Sequence, residues 1–429
     1  MEKIVSPGFL SGTLRMLPSK SASHRAVMMA AMAQGKTLLE PLQLSQDISA
    51  TLSCAEALGL TLGAAIAPTD TEGFVRAEIH GGGMAENREL RVLDCGESGS
   101  TLRFFIPLAL DGRGAVRFEG RGRLMQRPLS VYEDMFKARG ILWRHEGDSL
   151  TVDGLLESGR YSMPGDVSSQ FITGMLLALP RLEGDSVLEI TTPLESRAYV
   201  ELTRRIQAHY HVVSEWDEKG QSLLIPGGQR AVSPGRMHIG GDWSHAAFYL
   251  VAGAIGRGEI RLTGLDPNSA QGDRALVGIL RDMGADIRWE GDELVARASK
   301  LHGLHADCSQ IPDVVPALAV AMAAAEGESR ISGAARLRIK ESDRLSAMCA
   351  ALSAAGACIC ETEDGLLIRG GNRLCAAKID GCNDHRIVMA MAVASAIADG
   401  ELTLTDAEAT AKSAPAFWNE FASLGGQAR

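Results

Sequence analysis

The sequence predicts an α/β fold built from six copies of one unit, with helices buried inside and sheets outside. A strongly apolar helix followed by a Gly turn and a β-rich run occurs six times along the 429 residues, at intervals of about 70 to 77 residues. The first helix of each unit is apolar nearly all round, which is typical of complete burial. The runs after the turns, such as EIRLTGL and ELTLTDA, alternate apolar and polar residues as half-buried strands do.

Glycines mark the period of these units. The apolar helices are followed by Gly35, Gly112, Gly184, Gly258, Gly327 and Gly400. A second, amphipathic helix recurs between them and is followed in five units by Gly59, Gly140, Gly284, Gly356 and Gly425. Glycine just past a helix end is an ordinary stop signal, because a positive φ carries no steric penalty there. The segment IQAHYHVV takes the corresponding place in the remaining unit without a glycine.

The six units are too many for one hydrophobic core. A Pro/Gly-rich stretch over residues 226–241, PGGQRAVSPGRMHIGG, separates three units from the other three. We therefore predict two similar domains with the boundary at residues 240 and 241.

Composition narrows the class of protein. The chain has 43 basic and 53 acidic residues and a net charge of −10, which argues against a nucleic-acid or anionic-membrane partner. Its eight cysteines form no CxxC pair and no regular framework, so neither a metal site nor a disulfide scaffold is predicted. The first residues do not read as a signal peptide, and the longest apolar runs are shorter than the ~18 residues of a membrane span. We expect a cytoplasmic protein, a monomer without metal or cofactor, that binds small molecules.

A polar cluster precedes each apolar helix, where a purely structural helix would need only a cap. The clusters are SKSASHR at 19–25, GESGSTLR at 96–103, DVSSQ at 166–170, GDWSH at 241–245, IPD at 311–313 and NDHR at 383–386. The unpaired N–H groups and positive dipole end of a helix attract phosphate or carboxylate, particularly beside Ser, Gly and Lys. One such cluster is equally well explained as an N-cap. Six of them favour convergent anion sites.

The amphipathic helices are also preceded by basic residues, namely Arg127, Lys340, Arg344 and Lys412. A cation at a helix start opposes the dipole, at up to ~1 kcal/mol each, so an anion is the expected partner. The alternative for KESDR at 340–344 is a solvated charge run. Lys340 and Arg344 share a sign, however, and would repel each other four residues apart on a bare helix.

Together these residues resemble the 3-phosphoshikimate 1-carboxyvinyltransferase, or EPSP synthase, family of enolpyruvyl transferases. The resemblance spans the chain in order and rests on Gly12-Thr13 with SKSASHR, GESGSTLR, RLMQRP at 123–128, VSSQF at 167–171, NSAQGD at 268–273, IPD, RIKESDRL at 338–345, NDHR, and AKS at 411–413. It implies an inside-out α/β barrel architecture, with three βαβαββ units in each of two domains and a cleft that closes on substrate. The implied domains are residues 20–240, and residues 241–429 with residues 1–19 returning to them as an N-terminal strand.

The implied activity belongs to the shikimate pathway of aromatic amino-acid and chorismate biosynthesis. The enolpyruvyl group of phosphoenolpyruvate is transferred to the 5-hydroxyl of shikimate 3-phosphate through a tetrahedral intermediate, and phosphate is released. The hydroxyl must lose a proton while the C3 methylene gains one, which calls for proton carriers among cations.

The resemblance also implies the residues of the site. The catalytic group is Asp313, Glu341 and Lys20, and which of the three carries each proton stays open. Shikimate 3-phosphate is expected at Lys20, Ser21, Arg25, Ser168, Ser169, Gln170, Ser196, Asp313 and Lys340. Phosphoenolpyruvate is expected at Lys20, Gly99, Arg127, Gln170, Arg344, Arg386 and Lys412. Catalysis is an alternative role for His385, but local hydrogen bonding is the simpler explanation of this residue. His24 and His245 are weaker candidates for catalysis.

Several positions depart from the family pattern. Pro18 directly precedes Ser19 where many members have Pro-Gly-Ser, Glu97 replaces an Asn, and Ala414 replaces an aromatic residue. Arg336 stands where an Asn contact is common, so that contact is not predicted here.

Three alternative functions predict different sequence features. The related transferase that acts on UDP-N-acetylglucosamine carries a Cys in its catalytic loop, which residues 113–127 lack. A non-catalytic anion-binding module would bind ligands without turnover, and retention of Asp313, Glu341 and Lys20 argues against it. The RNA-end cyclases need a basic surface that the net charge does not favour.

Overall fold

The computed structural model describes residues 1–71, 73–82 and 90–429. Its α-helices are α1 (Lys20–Met32), α2 (Gln46–Ala57), α3 (Gly99–Ala109), α4 (Ser130–Lys137), α5 (Ser169–Ala178), α6 (Arg197–His209), α7 (Trp243–Ile255), α8 (Leu276–Asp282), α9 (Val315–Ala324), α10 (Arg344–Ala354), α11 (His385–Ala394) and α12 (Phe417–Ser423). Short 3₁₀ turns extend or precede several of them, among them Gly272–Ala275, Pro312–Val314, Ala335–Ile339 and Ala407–Lys412. In these described ranges no helix combines the length and apolar character that crossing a membrane requires.

The strands are short. They are β1 (Lys3–Val5), β2 (Gly12–Arg15), β3 (Gly35–Leu42), β4 (Thr61–Pro68), β5 (Val75–Gly81), β6 (Arg91–Asp94), β7 (Val116–Glu119), β8 (Leu142–Glu146), β9 (Ser149–Asp153), β10 (Arg160–Met163), β11 (Ser186–Ile190), β12 (Glu215–Trp216), β13 (Ser222–Ile225), β14 (Arg236–His238), β15 (Glu259–Thr263), β16 (Asp286–Glu290), β17 (Glu293–Arg297), β18 (His305–Asp307), β19 (Glu328–Ser332), β20 (Cys358–Glu361), β21 (Leu366–Arg369), β22 (Ala377–Ile379) and β23 (Leu402–Leu404).

The chain folds into two compact units. The inserted unit is residues 20–239, and the split unit is residues 1–19 with 240–429. Three sheets belong to the inserted unit, in the strand orders β14-β3-β5-β4, β6-β7-β9-β8 and β10-β11-β13-β12. The split unit contains β16-β17-β15-β2, β18-β19-β21-β20 and the three-stranded β1-β23-β22.

One pairing pattern recurs in all five four-stranded sheets. In the sheet that surrounds α3, β6 and β7 are parallel, whereas β9 is antiparallel to both β7 and β8. A parallel pair needs a crossover helix and an antiparallel pair can turn back directly, so the unit is βαβαββ. The described residues of the first helices are almost wholly buried, as in α7, α9 and α11. The predicted α/β class, with helices inside, is confirmed.

Two strands pair with partners far from them in the sequence. β2 precedes α1 in sequence but pairs in parallel with β15 of the split unit. β14 precedes α7 but pairs in parallel with β3 of the inserted unit. The Pro/Gly-rich stretch 226–241 therefore contains a sheet strand. β14, near the end of the inserted unit, completes the sheet of β3, and β2, near the start of the chain, completes the sheet of β15.

The ends of the second helices follow one rule. Gly59, Gly140, Gly284, Gly356 and Gly425 all have positive φ, between 74° and 99°. Each donates to the carbonyl three residues back, and the next residue donates to the carbonyl five residues back, which terminates the helix. After α6, His211 takes this position with φ 61° and makes the same bond pattern.

Candidate active site

In the split unit, three cations converge on one carboxylate. Asp313 lies in the 3₁₀ turn before α9, and its side chain is 18 % exposed. Arg344 Nη1 lies 3.1 Å from Oδ1, and Arg386 Nη2 lies 3.3 Å from Oδ2. Lys340 Nζ lies 3.9 Å from Oδ1. Arg386 Nη1 also donates to the Asp313 carbonyl at 2.7 Å, which ties α11 to the turn before α9.

Arg344 is the centre of this network. It begins α10, its side chain is 2 % exposed, and its guanidinium contacts three carboxylates. Nε donates to Asp384 Oδ2 at 2.8 Å, and Nη2 donates to Glu341 Oε2 at 2.7 Å, in addition to the Asp313 contact. Asp384 is completely buried, caps α11 by accepting from the Arg386 amide, and also accepts from the Ser342 hydroxyl. Arg344 at the start of α10 is thus paired with Asp384, the cap of α11.

The charges shift the ionisation of the group. Burial raises the pKa of Asp313, but Arg386, Lys340 and Arg344 outweigh it and hold that pKa well below its usual range. Burial lowers the pKa of Lys340 to about 8, against the opposing effect of Asp313. Asp273, which begins the 3₁₀ turn before α8 with Gly272, has its pKa raised to about 6, first by burial and then by the Asp313 charge. Ser244 donates its hydroxyl to Asp273 Oδ2.

One interpretation of the sequence is wrong. Lys340 and Arg344 do not lie on the same helix. α10 begins at Arg344, and Lys340 follows the 3₁₀ turn Ala335–Ile339. The repulsion expected on a bare helix therefore does not arise there. Both side chains face Asp313, so a carboxylate keeps the two like charges together.

Lys412 and His385 both lie at the start of α11, and their contacts differ from those of Arg344. Lys412 is buried at the end of a 3₁₀ turn, and its Nζ donates to the Asn383 carbonyl at 2.7 Å. His385 is the first residue of α11, with Nδ1 3.8 Å from Asp384 Oδ1. Within the described ranges, no three His, Cys, Asp or Glu side chains are grouped to hold a metal ion.

In the inserted unit, the buried cation Arg25 is held by neutral oxygens. It lies one turn into α1 and is 3 % exposed. Nε donates to the Thr203 hydroxyl at 2.7 Å, and Nη2 donates to Thr173 at 3.1 Å and to the Tyr199 carbonyl at 3.3 Å. Nη1 donates to the Ser21 carbonyl. Burial lowers the pKa of Arg25 to about 10, so it stays charged at neutral pH with no carboxylate among these partners.

A second cationic corner surrounds Gly99 at the start of α3. A Cβ built on Gly99 would lie 2.9 Å from Arg127 Nη1, 3.0 Å from Arg103 Nη1 and 3.5 Å from Gln170 Oε1. Arg103 donates to Gln170 Oε1 at 2.8 Å, and Gln170 Nε2 donates to the Ser100 hydroxyl at 2.9 Å. The absence of a side chain at Gly99 keeps the first turn of α3 open toward two guanidinium groups.

The other predicted residues of this unit lie at helix starts. Lys20 begins α1 and forms an ion pair with Asp47 Oδ2 at 3.0 Å, and Ser21 follows it. Ser168 caps α5 by accepting from the Gln170 amide, and Ser169 is the first residue of that helix. Ser196 precedes α6, is buried, and has a left-handed backbone with φ 53°.

Known proteins resemble this chain over nearly its whole length. Residues 4–421 match the family model of EPSP synthase (3-phosphoshikimate 1-carboxyvinyltransferase). The chain belongs to the EPSP synthase family. The 3-phosphoshikimate 1-carboxyvinyltransferase of Clostridium novyi is 41% identical over 430 residues, covering 99% of this chain and 98% of the relative. The enzyme of that name from Clostridium kluyveri is 40% identical over 425 residues, covering 99% and 97%.

Solved structures share the fold of this chain. EPSP synthase from Acinetobacter baumannii superposes with a TM-score of 0.78 at 26% identity, covering 100% of both chains. The enolpyruvyl transferase NikO from Streptomyces tendae has a TM-score of 0.77 at 17% identity over 100% of this chain and 98% of that one, which shows the shared fold.

The structure places three of the departures from the family pattern. Pro18 lies in an antiparallel bridge with Gly241, and Ser19 donates its amide to the Gly240 carbonyl, so this segment is tied down by backbone bonds before α1 begins. Glu97 lies against Gly122, where a Cβ would be 2.7 Å from Oε2. Ala414 is buried.

Four residues that contact the predicted site residues are absent from the sequence prediction. Asp384 and Arg103 lie within the motifs NDHR and GESGSTLR, so their positions in these motifs could have identified them. Thr173 and Thr203 lie inside helices and carry no motif, and only the packing of α5 and α6 against α1 brings them to Arg25.

Proposed function

We infer that the chain is a 3-phosphoshikimate 1-carboxyvinyltransferase, a transferase that moves the enolpyruvyl group of phosphoenolpyruvate to the 5-hydroxyl of shikimate 3-phosphate and releases phosphate. Family membership over nearly the whole chain carries this assignment. The structural observation that supports it best is the convergence of Lys340, Arg344 and Arg386 on Asp313. An enzyme that joins two anions and moves protons needs a carboxylate among cations.

We propose that the inserted unit supplies most of the grip on shikimate 3-phosphate. Arg25 has a buried charge whose partners are neutral, so a bound anion would relieve its desolvation. The other proposed contacts are Lys20, Ser21, Ser168, Ser169, Gln170 and Ser196, with Asp313 and Lys340 from the split unit. Serine hydroxyls and helix-start amides suit phosphate oxygens.

Phosphoenolpyruvate is proposed to bind Lys20, Gly99, Arg127, Gln170, Arg344, Arg386 and Lys412. The open first turn of α3 beside Arg127 supports the placement of one anionic group there. Arg344 is largely committed to carboxylates, since Nη2 also donates to Asp384 Oδ1 at 3.2 Å and four of its five N–H groups are used. Its contribution is one remaining Nη1 N–H together with the field of its charge. Arginine suits a two-point grip on carboxylate or phosphate.

Asp313 is proposed to take the proton of the 5-hydroxyl as that oxygen attacks C2 of phosphoenolpyruvate. Glu341 or Lys20 delivers a proton to C3, which gives the tetrahedral adduct. Loss of a methyl proton and of phosphate then restores the double bond on the product. In the absence of anions, the three cations make Asp313 a weak base. Two bound anionic substrates would cancel part of that field and raise its proton affinity during the reaction.

We propose that the enzyme acts in the cytoplasm as a monomer on these two small molecules. The net charge of −10 supports small-molecule rather than nucleic-acid partners. Size-exclusion chromatography with light scattering checks the monomer, and an elution mass of about two chains would contradict it.

The activity is tested by measuring phosphate release from phosphoenolpyruvate with purified protein. We expect release only when shikimate 3-phosphate is added, with stoichiometric formation of the enolpyruvyl product. Release without an acceptor would contradict the assignment, and so would release supported only by UDP-N-acetylglucosamine. Binding of both substrates without any release would identify a non-catalytic module instead.

A further inference from the structure

A chain of buried polar side chains links α1 to the start of α3. His24 Nδ1 lies 2.7 Å from the Thr51 hydroxyl, and the Thr51 hydroxyl lies 2.8 Å from that of Thr101. Thr101 donates its hydroxyl to Ser98 Oγ at 2.7 Å. All four side chains are at most 1 % exposed. We call His24, Thr51, Thr101 and Ser98 the hydroxyl chain.

The hydroxyl chain ends at a helix cap. Ser98 is the N-cap of α3, and its Oγ also accepts from the Thr101 amide at 3.2 Å. This capping bond involves the third residue of the helix, whereas the amides of Gly99 and Ser100 precede it at the open end of α3. The orientation of those two amides, and hence their use by an anion, depends on how firmly Ser98 is held.

The other end of the hydroxyl chain begins beside a proposed substrate residue. Lys20 and His24 are one turn apart on α1, and Asp47 and Thr51 are one turn apart on α2. The Lys20–Asp47 ion pair and the His24–Thr51 hydrogen bond are therefore two successive links between the same helices. The Thr51 hydroxyl also donates to the Asp47 carbonyl at 3.2 Å.

The proton count gives the hydroxyl chain a direction. Burial, then the charges of Lys20 and Arg25, lower the pKa of His24 well below its usual value, so its ring is neutral and carries one proton. Nε2 has no hydrogen-bond partner in the described part of the structure, whereas Nδ1 faces Thr51. With the proton on Nδ1, His24 donates to Thr51, and Thr101 donates to Ser98. The single Thr51 hydroxyl proton is shared between the nearer Thr101 hydroxyl at 2.8 Å and the Asp47 carbonyl at 3.2 Å.

We propose that His24 is a positioning residue for phosphoenolpyruvate. Acting through Thr51 and Thr101, it holds the Ser98 cap and thereby the Gly99 and Ser100 amides in the orientation that binds the anion. This inference rests on the proposed function for the identity of the anion. The hydroxyl chain touches no substrate itself, so its loss weakens phosphoenolpyruvate binding without removing a catalytic group.

The test uses variants that remove one hydrogen bond and little volume. Thr51→Val and Thr101→Val are each expected to raise KM for phosphoenolpyruvate about 5- to 10-fold and to leave kcat within about twofold. The double variant is expected to show the same rise as either single variant, since both break one chain. Thr51→Ser, which keeps the hydroxyl, is expected to behave like the wild type.

His24 is tested in the same way. His24→Leu removes the donor and is expected to reproduce the KM rise, whereas His24→Asn retains an N–H near the position of Nδ1 and is expected to restore most of the affinity. Thr37→Val is the matched control, because the Thr37 hydroxyl is buried in the same unit and donates to Ser233 Oγ at 2.7 Å, outside the hydroxyl chain. It should lower the melting temperature similarly and leave KM unchanged.

Two results would overturn the inference. One is an unchanged KM for phosphoenolpyruvate in variants whose melting temperature falls as in Thr37→Val, which would make the hydroxyl chain merely structural. The other is a double-variant effect equal to the product of the single effects, which would make the two threonines independent. Calorimetry of phosphoenolpyruvate binding, measured on the same variants without the second substrate, requires no turnover. It therefore separates failure of this inference from failure of the proposed function.

Discussion

Arg344 in the split unit and Arg25 in the inserted unit are both buried, yet their surroundings are opposite. Arg344 contacts three carboxylates, and their charges raise its pKa despite burial. Arg25 contacts two threonine hydroxyls and two carbonyls, and burial lowers its pKa to about 10. A compensated charge shapes the field around neighbouring acids, whereas an uncompensated buried charge gains most from an incoming anion. The contrast predicts different roles for the two arginines, namely tuning of the proposed proton acceptor by Arg344 and direct anion binding by Arg25.

The largest expected effect concerns Asp313. Asp313→Ala should lower kcat by at least ~1,000-fold, because it removes the proposed proton acceptor. Shikimate 3-phosphate should bind within about tenfold of the wild-type affinity, since the three cations around the site remain. Steady-state kinetics and calorimetry measure the two quantities. Glu361→Ala, which removes an exposed partner of Arg338, is the control and should leave kcat unchanged. Loss of binding with little further loss of kcat would give Asp313 a purely binding role.

Arg25 should show the reverse pattern. Arg25→Lys replaces a planar fork that four oxygens orient with a single ammonium. We expect KM for shikimate 3-phosphate to rise about 10- to 100-fold while kcat changes less than about threefold. Arg139→Lys in the same unit is the control, because Arg139 is also held by carbonyls but lies over Tyr161. A fall in kcat as large as the rise in KM would erase the contrast between the units.

The pH dependence of kcat/KM should distinguish Lys340 from Arg25. Lys340 has a pKa of about 8, and its charged form is lost as the pH rises through that value. The kcat/KM for shikimate 3-phosphate should therefore fall about tenfold per pH unit above pH 8. Lys340→Arg should remove this limb, and the next one should appear only near pH 10, where Arg25 titrates. Persistence of the limb in Lys340→Arg would assign it to another group.

The smallest effect concerns stability. Asp273 has a folded-state pKa of about 6, above the ordinary value of 3.8, so its ionisation destabilises the fold as the pH rises through this interval. Asp273→Asn should raise the free energy of unfolding by about 1 to 2 kcal/mol above pH 6 and by almost nothing near pH 4. Urea titration across pH measures this. Asp286→Asn, which removes an exposed partner of Arg288, should show no gain at any pH.

The helix starts were predictable because capping is local chemistry. Ser98, Ser168, Asp242 and Asp384 each accept an amide two or three residues ahead, so the motif and the structure coincide in a few residues. The capping explanation is therefore confirmed for these four helix starts, and the anion-site explanation stays a prediction. Asp384 caps α11 and also binds Arg344.

Helix ends show where local rules stop. The five glycines at the ends of the second helices were recognisable because glycine adopts a positive φ freely. His211 adopts the same conformation without that freedom. The bonds from His211 and Val212 back into α6 hold it there, so the position could be inferred only from the repeat and not from the residue type.

The sequence by itself determined the six-fold repeat, because the apolar helices and their glycines recur at a regular spacing. It also determined the buried helices and the helix starts that carry charge, because these depend on residues within about ten positions of one another. The tertiary structure alone decided what those starts face. Thr173 and Thr203 reach Arg25 only through the packing of three helices, and Asp384 reaches Arg344 from 40 residues away. Whether a buried cation meets a carboxylate or a hydroxyl depends on these long-range contacts, and that difference sets its pKa and its role.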